Sequence, residues 1–388
     1  THFLNGNYKS AFDELDSHFL NVYGAGLSKT WVNKKLSYFK LKTKKTQKVT
    51  GPLVSVIMTI HQWNDAFPLA INSILNQSYT DIELLLIDDE SSAEDVERYQ
   101  PYLNDSRIKY HRVSVNQGTY PCRNHGVNLA KGEYITFADS DDWNHPCRIE
   151  FAVKDLEESD AHMTHGRYIR MKADGSMNID GGRPARFALM AMFWRSKILK
   201  KVFGGFDGRA RTAADSELYE RARTYYGSKL IMRNNRVEII ALSHGSSLTG
   251  GGSMIIDWLG PGPNRLRYVS GYHHWHQGIK KLGVPPMMID NPPFAAPHDS
   301  KSKNDPIVKE LESLFRFNST TRNIDISSID VSDFSESTEI SIGMATYPGG
   351  YSTLLQTVES LCHQTIPFTR LQIHVNGNEP IPDLPLDS

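Results

Sequence analysis

Leu53-Val54-Ser55-Val56-Ile57-Met58 decides the fold when read together with Phe67, Ala70, Ile71, Ile74 and Leu75, and then with Ile82-Glu83-Leu84-Leu85-Leu86-Ile87. The two apolar runs are short, as buried strands are, and the first is rich in β-branched residues. The stretch between them repeats its apolar residues at the helical period of 3.6. Strand, helix and strand in that order predict a mainly parallel sheet with right-handed crossovers. Such sheets carry ligands at the carboxyl ends of their strands. Thr59, Asp89 and Asp141 each fall just past a strand end and are expected at one rim.

A further strand, Gly132-Glu133-Tyr134-Ile135-Thr136-Phe137-Ala138, runs into Asp139-Ser140-Asp141-Asp142. Carboxylates crowded at a strand end repel one another unless a cation sits among them. Mg²⁺ and Mn²⁺ take oxygen ligands and share them with substrate phosphates. A solvated Asp-rich turn is the plain alternative.

Composition sets the outer limits. The 388 residues are 39% hydrophobic and 22% charged, enough for one large domain and a second unit. A net charge of −1 gives no global field for nucleic acid. Cys122, Cys147 and Cys362 are sparse and odd in number, which suggests a reducing compartment. No apolar run approaches the ~20 residues that span a bilayer, and the start shows no signal-peptide pattern. The chain begins at Thr1, so a trimmed leader stays open. A cytoplasmic location is expected, with peripheral contact at the inner face of the plasma membrane through the basic 31–48 segment. There Lys34, Lys35, Lys40, Lys42, Lys44, Lys45 and Lys48 mix with Trp31, Tyr38 and Phe39. A solvated linker explains that run equally well.

Four regions are expected: an N-terminal helical segment and basic linker (1–50), an α/β domain (51–252), a helical extension and linker (253–335), and the start of a second, truncated α/β unit (336–388). Residues 9–24 read as a helix with Phe12, Leu15, Phe19 and Val22 on one stripe. Further helices are expected at about 119–130, Cys147–Glu158 and Ala214–Tyr226, and strands at Phe187–Trp194 and 236–243. The last region repeats the first strand unit. Ser341-Ile342-Gly343-Met344-Ala345-Thr346 echoes Ser55-Val56-Ile57-Met58-Thr59, and Leu371-Gln372-Ile373-His374-Val375-Asn376-Gly377 echoes the strand ending at Asp88-Asp89. Two copies of a domain are implied. So short a second copy cannot close its own sheet, so the chain is expected to be a piece of a longer tandem protein.

Val54-Ser55-Val56-Ile57-Met58-Thr59, Ser73-Ile74-Leu75-Asn76-Gln77-Ser78, Leu86-Ile87-Asp88-Asp89-Glu90-Ser91, Arg123-Asn124-x-Gly126 and Phe137-Ala138-Asp139-Ser140-Asp141-Asp142 stand in the order found in one family. Over about residues 52–250 the chain resembles the inverting, family 2 glycosyltransferases of GT-A fold. The resemblance implies a UDP-sugar donor, Mn²⁺ or Mg²⁺, and a glycan or glycolipid acceptor. Tandem copies resemble bacterial polymerases of capsule or lipopolysaccharide, with a second glycosyltransferase domain in the longer chain; that step is analogy.

By the same resemblance, Thr59 and His61 meet the nucleotide base, although the family often has Tyr where His61 stands. Asp89 accepts from the uracil N–H, with helix capping as its structural alternative. Arg123 reaches the nucleotide, or is a surface helix arginine. Asp139 and Ser140 belong to the donor site, Asp139 holding ribose or metal-bound water. Asp141 ligates the metal, and Asp142 caps the next helix. Asp215, after Gly205-Phe206-Asp207, is the expected base, with Glu217 second. His244, before Ser246-Ser247-Leu248-Thr249, completes the metal shell or meets the diphosphate, or is a structural histidine. His273, His274 and His276 lack zinc spacing and are expected in packing or along an acceptor groove. A nucleotidyltransferase is the rival enzyme, but Ile60-His61-Gln62-Trp63 is no phosphate loop. A non-catalytic glycan-binding or scaffold domain is the rival outside enzymes.

Overall fold

The computed structural model describes residues 8–27, 31–32, 35–43, 46–178, 185–243, 256–257, 260–261, 263–290, 292–294, 296, 341–346 and 370–375. The chain divides into two units, Thr1–Ser313 and Leu314–Ser388. The first unit opens with α1 (Tyr8–Tyr23), β1 (Val54–Ile60), α2 (Phe67–Leu75), β2 (Ile82–Asp88), α3 (Ala93–Tyr99), β3 (Ile108–Arg112) and α4 (Thr119–Leu129). Next come β4 (Tyr134–Asp139), β5 (Trp143–Asn144), α5 (Arg148–Glu157), β6 (Met163–Met171), β7 (Met177–Asn178) and β8 (Arg186–Phe187). It continues through β9 (Phe193–Arg195), α6 (Ala214–Tyr226), β10 (Ile231–Leu242) and α7 (Pro263–Lys281).

The strands form one mixed sheet in the order β3-β2-β1-β4-β9-β6-β10-β5, with β7 and β8 also paired to β6. From β3 to β4 every pairing is parallel. β9 is antiparallel to both β4 and β6. This is the α/β architecture of GT-A type that the resemblance implies.

Alternation along β1 and β2 explains why both faces are covered. Val54, Val56, Met58 and Ile60, with Leu84 and Leu86, pack against α2 and α5. Ile57, Leu85 and Ile87 turn the other way, into the core that holds Cys122 and Val127 of α4, Leu218 of α6 and Tyr268 of α7. Burial on both faces is what makes these strands read as continuous apolar runs. Gly126 fits because a Cβ there would meet Ile57 Cγ2 at 2.6 Å, so α4 lies close on β1.

Polar residues at the end of α2 are joints of the scaffold. Ser73 Oγ accepts the Asn144 N–H (3.1 Å), and Gln77 binds both the His145 carbonyl and the Ile149 N–H. The end of α2 therefore holds the segment just past the Asp cluster.

α1 lays Phe12, Leu15 and Phe19 against Trp143, Ile169 and Ile240. Tyr38, grouped by sequence with the basic run, is fully buried, whereas Phe39, Lys40 and Lys42 are exposed. Lys48 Nζ donates to the Gln77 carbonyl at 2.7 Å. Lys34, Lys44 and Lys45 lie outside the described residues. Among the described residues no helix is long and apolar enough to cross a membrane.

The strand expected over Phe187–Trp194 is broken. A 3₁₀ turn at Leu189–Ala191 separates β8 from β9. The cause is the Ala191 carbonyl, taken by Thr136 Oγ1 and Arg148 Nη1 instead of a ladder partner. In the second unit, β11 (Ser341–Thr346) and β12 (Arg370–Val375) pair in parallel, Ser341 opposite Arg370. In the first unit Ser55 lies opposite Glu83.

His145 ties α1 to the sheet. Its ring stacks on Tyr23 at 4.0 Å, Nε2 contacts the Ala25 carbonyl at 3.0 Å, and burial lowers its pKa to about 4. Between about pH 6.5 and 4 the unfolded chain takes up a proton that the folded site refuses, so stability falls as pH drops through that window. We expect the urea midpoint to fall from pH 7.5 to pH 5, and His145→Gln to flatten the slope; an unchanged slope in the variant would refute the assignment.

Candidate functional site

The carboxyl ends of β1, β2 and β4 and the start of α6 border one cavity of about 590 Å³. Register brings them together: Thr59 lies opposite both Ile87 and Asp139. Thr59, His61, Asp89, Arg123, Asp139, Ser140, Asp141 and Asp215 all line it. His244 lies outside the described residues.

Asp89 is buried, and its two oxygens accept the N–H groups of Gln117 and Gly118, each at 2.7 Å. It does not cap α3; Ser92 does, accepting from the Asp95 N–H. Asp89 instead fixes the entry to α4, where Gly118 sits at φ 92°. The Cys122 thiol is a further partner of this carboxylate, which keeps acceptor capacity for one more donor. Arg123 is not a surface residue. Its buried guanidinium donates to Asp139 Oδ1 at 2.5 Å and lies among the rings of Tyr120, Phe137 and Phe206.

Burial pushes the Asp139 carboxyl above the usual range; Arg123 pulls it back, and Asp141 and Asp215 push it up again. Asp142 is raised further, by burial and then by Asp141 and Asp139. The expected helix-capping role for Asp142 is not observed. Its Oδ1 accepts the Leu242 N–H at 3.1 Å, and α5 starts after Cys147 without a side-chain cap. Ser140 Oγ is 3.4 Å from Asn64 Nδ2. Tyr38 holds the cluster from below: its hydroxyl donates to the Asp141 carbonyl at 2.6 Å and accepts the Trp143 N–H at 2.9 Å.

Asp215 also lines the cavity, from the first turn of α6. Tyr120 Oη donates to its Oδ1 at 3.1 Å, and the Ser216 N–H to the same oxygen at 2.9 Å. Oδ2 has no donor among the described residues. The preceding turn is set by Asn124, whose side chain both donates to the Phe206 carbonyl and accepts its N–H. Glu217, the alternative base, is fully buried away from the cavity, paired with Arg221 and with His276 Nε2 at 2.8 Å. His276 is therefore a packing residue that joins α6 to α7.

Residues 55–213 match the family model described as Glycosyl transferase family 2. Over these residues the chain is similar to the family 2 glycosyltransferases. The match ends before Asp215. A Haemophilus influenzae protein described as an uncharacterized glycosyltransferase is 37% identical over 126 residues, 32% of this chain and 50% of its own length. The putative colanic acid biosynthesis glycosyl transferase WcaA of Escherichia coli is 35% identical over 113 residues, 29% of this chain and 40% of its own. The Escherichia coli UDP-Glc:alpha-D-GlcNAc-diphosphoundecaprenol beta-1,3-glucosyltransferase WfaP is 31% identical over 116 residues, 30% and 46% of the two chains. The chain thus spans half or less of the length of these relatives.

Sequence reasoning missed several residues of this site. Tyr120 precedes Arg123 by one helical turn, a spacing that puts both on one face of α4 and could have flagged it. Tyr38, Arg170, Arg186, Arg211 and Arg265 carry no local signal, because they reach the site only through the fold. Ala213, at φ 70°, is a non-glycine residue in the left-handed region, directly before α6. Such a conformation costs an L-residue roughly 1–2 kcal/mol. Ala213→Gly is expected to raise unfolding stability by about 0.5–1 kcal/mol, read from denaturant midpoints; a loss of stability would show that Ala213 is not strained.

Proposed function

We propose that this domain transfers a sugar, with inversion, from a UDP-sugar to a hydroxyl of a growing glycan. The observation that carries the reading is one cavity lined by Asp89, Arg123, the Asp cluster and Asp215 together. A buried carboxylate with acceptor capacity beside the Thr59 strand end suits a uracil N–H, which favours UDP over nucleotides that offer no such donor. WcaA and WfaP are named for colanic acid biosynthesis and for glucosylation of a diphosphoundecaprenol-linked sugar from UDP-Glc, which supports polysaccharide assembly as the setting. The parallel strand pair of the second unit supports a repeat of the β1–β2 arrangement there.

A divalent cation, Mn²⁺ or Mg²⁺, fits the cluster. Asp139 and Asp142 are pushed up by burial and by their acidic neighbours, a strain that a cation would relieve. Among the described residues no three His, Cys, Asp or Glu side chains already form a ligand set. Mg²⁺-like ions take one or two carboxylates and fill the remainder with phosphate and water. Asp141 would hold the ion, with His244 a further proposed ligand. When bound, it would offset the negative charge that grows on the departing diphosphate.

The chain's own residues supply the remainder. Arg123 pulls the Asp139 carboxyl back toward its ordinary range and holds it through Oδ1. Tyr120 and the Ser216 N–H fix Asp215 through Oδ1 and leave Oδ2 to accept the proton of an attacking hydroxyl. Asp141→Ala is expected to remove the Mn²⁺-dependent part of UDP affinity, measured by calorimetry, together with turnover. Asp215→Asn should keep UDP affinity within about 2-fold while transfer drops by about 10²–10⁴. Metal-independent UDP binding in the wild type, or normal transfer by the Asp215 variant, would overturn the respective role.

A further inference from the structure

We propose that the cavity has a second, basic wall that binds a phosphoryl group of the acceptor, next to the catalytic base; this rests on the donor reading above. The acids of the cavity are largely engaged: Asp89 by two backbone N–H groups, Asp139 by Arg123, Asp142 by the Leu242 N–H. Thr212 Oγ1, Arg265 Nη1 and Arg211, which belong to the same cavity, are not. Thr212 Oγ1 and Arg265 Nη1 line the cavity, are buried, and have no hydrogen-bond partner among the described residues. Arg211 also lines it, exposed, with no ion pair or hydrogen bond among the described residues. Arg170 and Arg186 add positive charge from β6 and β8.

Buried donors without partners are costly and are rare in folded proteins unless a ligand or water completes them. A hydroxyl and guanidinium groups from separate elements suit a tetrahedral, multiply charged anion, since guanidinium forks bind phosphoryl oxygens in pairs. The position argues for the acceptor over the donor. Thr212 and Arg211 stand just before Ala213 and Asp215, so an anion held there would lie beside the proton acceptor. The Asp cluster comes from β4 and its end, whereas the basic groups come from β6, β8, α7 and the turn before α6. An acceptor anchored by its phosphoryl group would present a nearby hydroxyl to Asp215.

The test is calorimetric titration of methyl phosphate into the protein saturated with UDP and Mg²⁺. We expect binding with UDP in place, at least 10-fold weaker in Arg211→Gln/Arg265→Gln, with UDP affinity changed by less than about 2-fold. Thr212→Val should weaken it less. Should the double variant not fold, Arg211→Gln alone, at an exposed site, is expected to weaken methyl phosphate binding. Competition between UDP and methyl phosphate would assign the arginines to the donor diphosphate and overturn the proposal. Methyl glucuronide binding as tightly would overturn the phosphoryl assignment, as would variants that bind like wild type. A short polyprenyl diphosphate and a glycerol phosphodiester, run alongside, distinguish a lipid carrier from a phosphate-bearing glycan; binding of neither counts against the proposal. Absence of UDP binding would sink the donor reading alone, because methyl phosphate binding and its loss in the variants would still identify the basic wall.

Discussion

Three carboxylates at the end of one buried strand repel one another, and water reaches them on one side only. β4 carries Asp139 at its end, and Asp141 and Asp142 come next, where the apolar core stops. Left alone, that arrangement would splay the chain or protonate. The fold answers with contacts from far away. Arg123 comes from α4, the Leu242 N–H from the end of β10, and the Tyr38 hydroxyl from the segment after α1. Each contact fixes the backbone or one oxygen while leaving Asp141 bordering the cavity. The sheet, its covering helices and the N-terminal segment are thereby tied to one acidic edge.

The opposite side of the cavity depends on a chain of joints. Asn124 on α4 grips the Phe206 backbone, Phe206 packs on Phe137 of β4 at 4.9 Å, and Ala213 is held in a left-handed conformation. α6 then begins with Asp215 in reach of Tyr120. Behind it the buried Glu217–Arg221–His276 group clamps α6 on α7. A buried ion group of this kind is weak evidence of stability, but breaking one partner leaves an unpaired buried charge. Its effect here is to fix the helix that presents both Asp215 and, through α7, Arg265.

Much of this was legible in the sequence, because the signals were local. Alternation in β1 and β2, the 3.6 period of α2, and the Ala214–Tyr226 helix need only neighbours along the chain. The clustering of Thr59, Asp89 and the Asp-rich turn at one rim came from the rule that parallel sheets bind at strand ends. What could not be read depended on tertiary contacts. Asp142 looked like a helix cap until Leu242 was found opposite it, and Tyr38 looked like part of a surface run until its ring was found in the core. The Phe187–Trp194 stretch has strand composition, yet Arg148 and Thr136 claim its Ala191 carbonyl and break the ladder.

The two walls of the cavity differ in how they are encoded, and physics accounts for the difference. The carboxylates of the Asp cluster come from consecutive residues at one strand end, so their pattern is written in the sequence. Guanidinium groups are long and repel one another, so several can converge only if each starts from a separate element and extends inward. Arg170, Arg186, Arg211 and Arg265 do this from two strands, a turn and a helix. Their spacing in the chain carries no motif. An acidic cluster can thus be built from a contiguous word, while a basic wall is assembled from residues that the fold alone gathers.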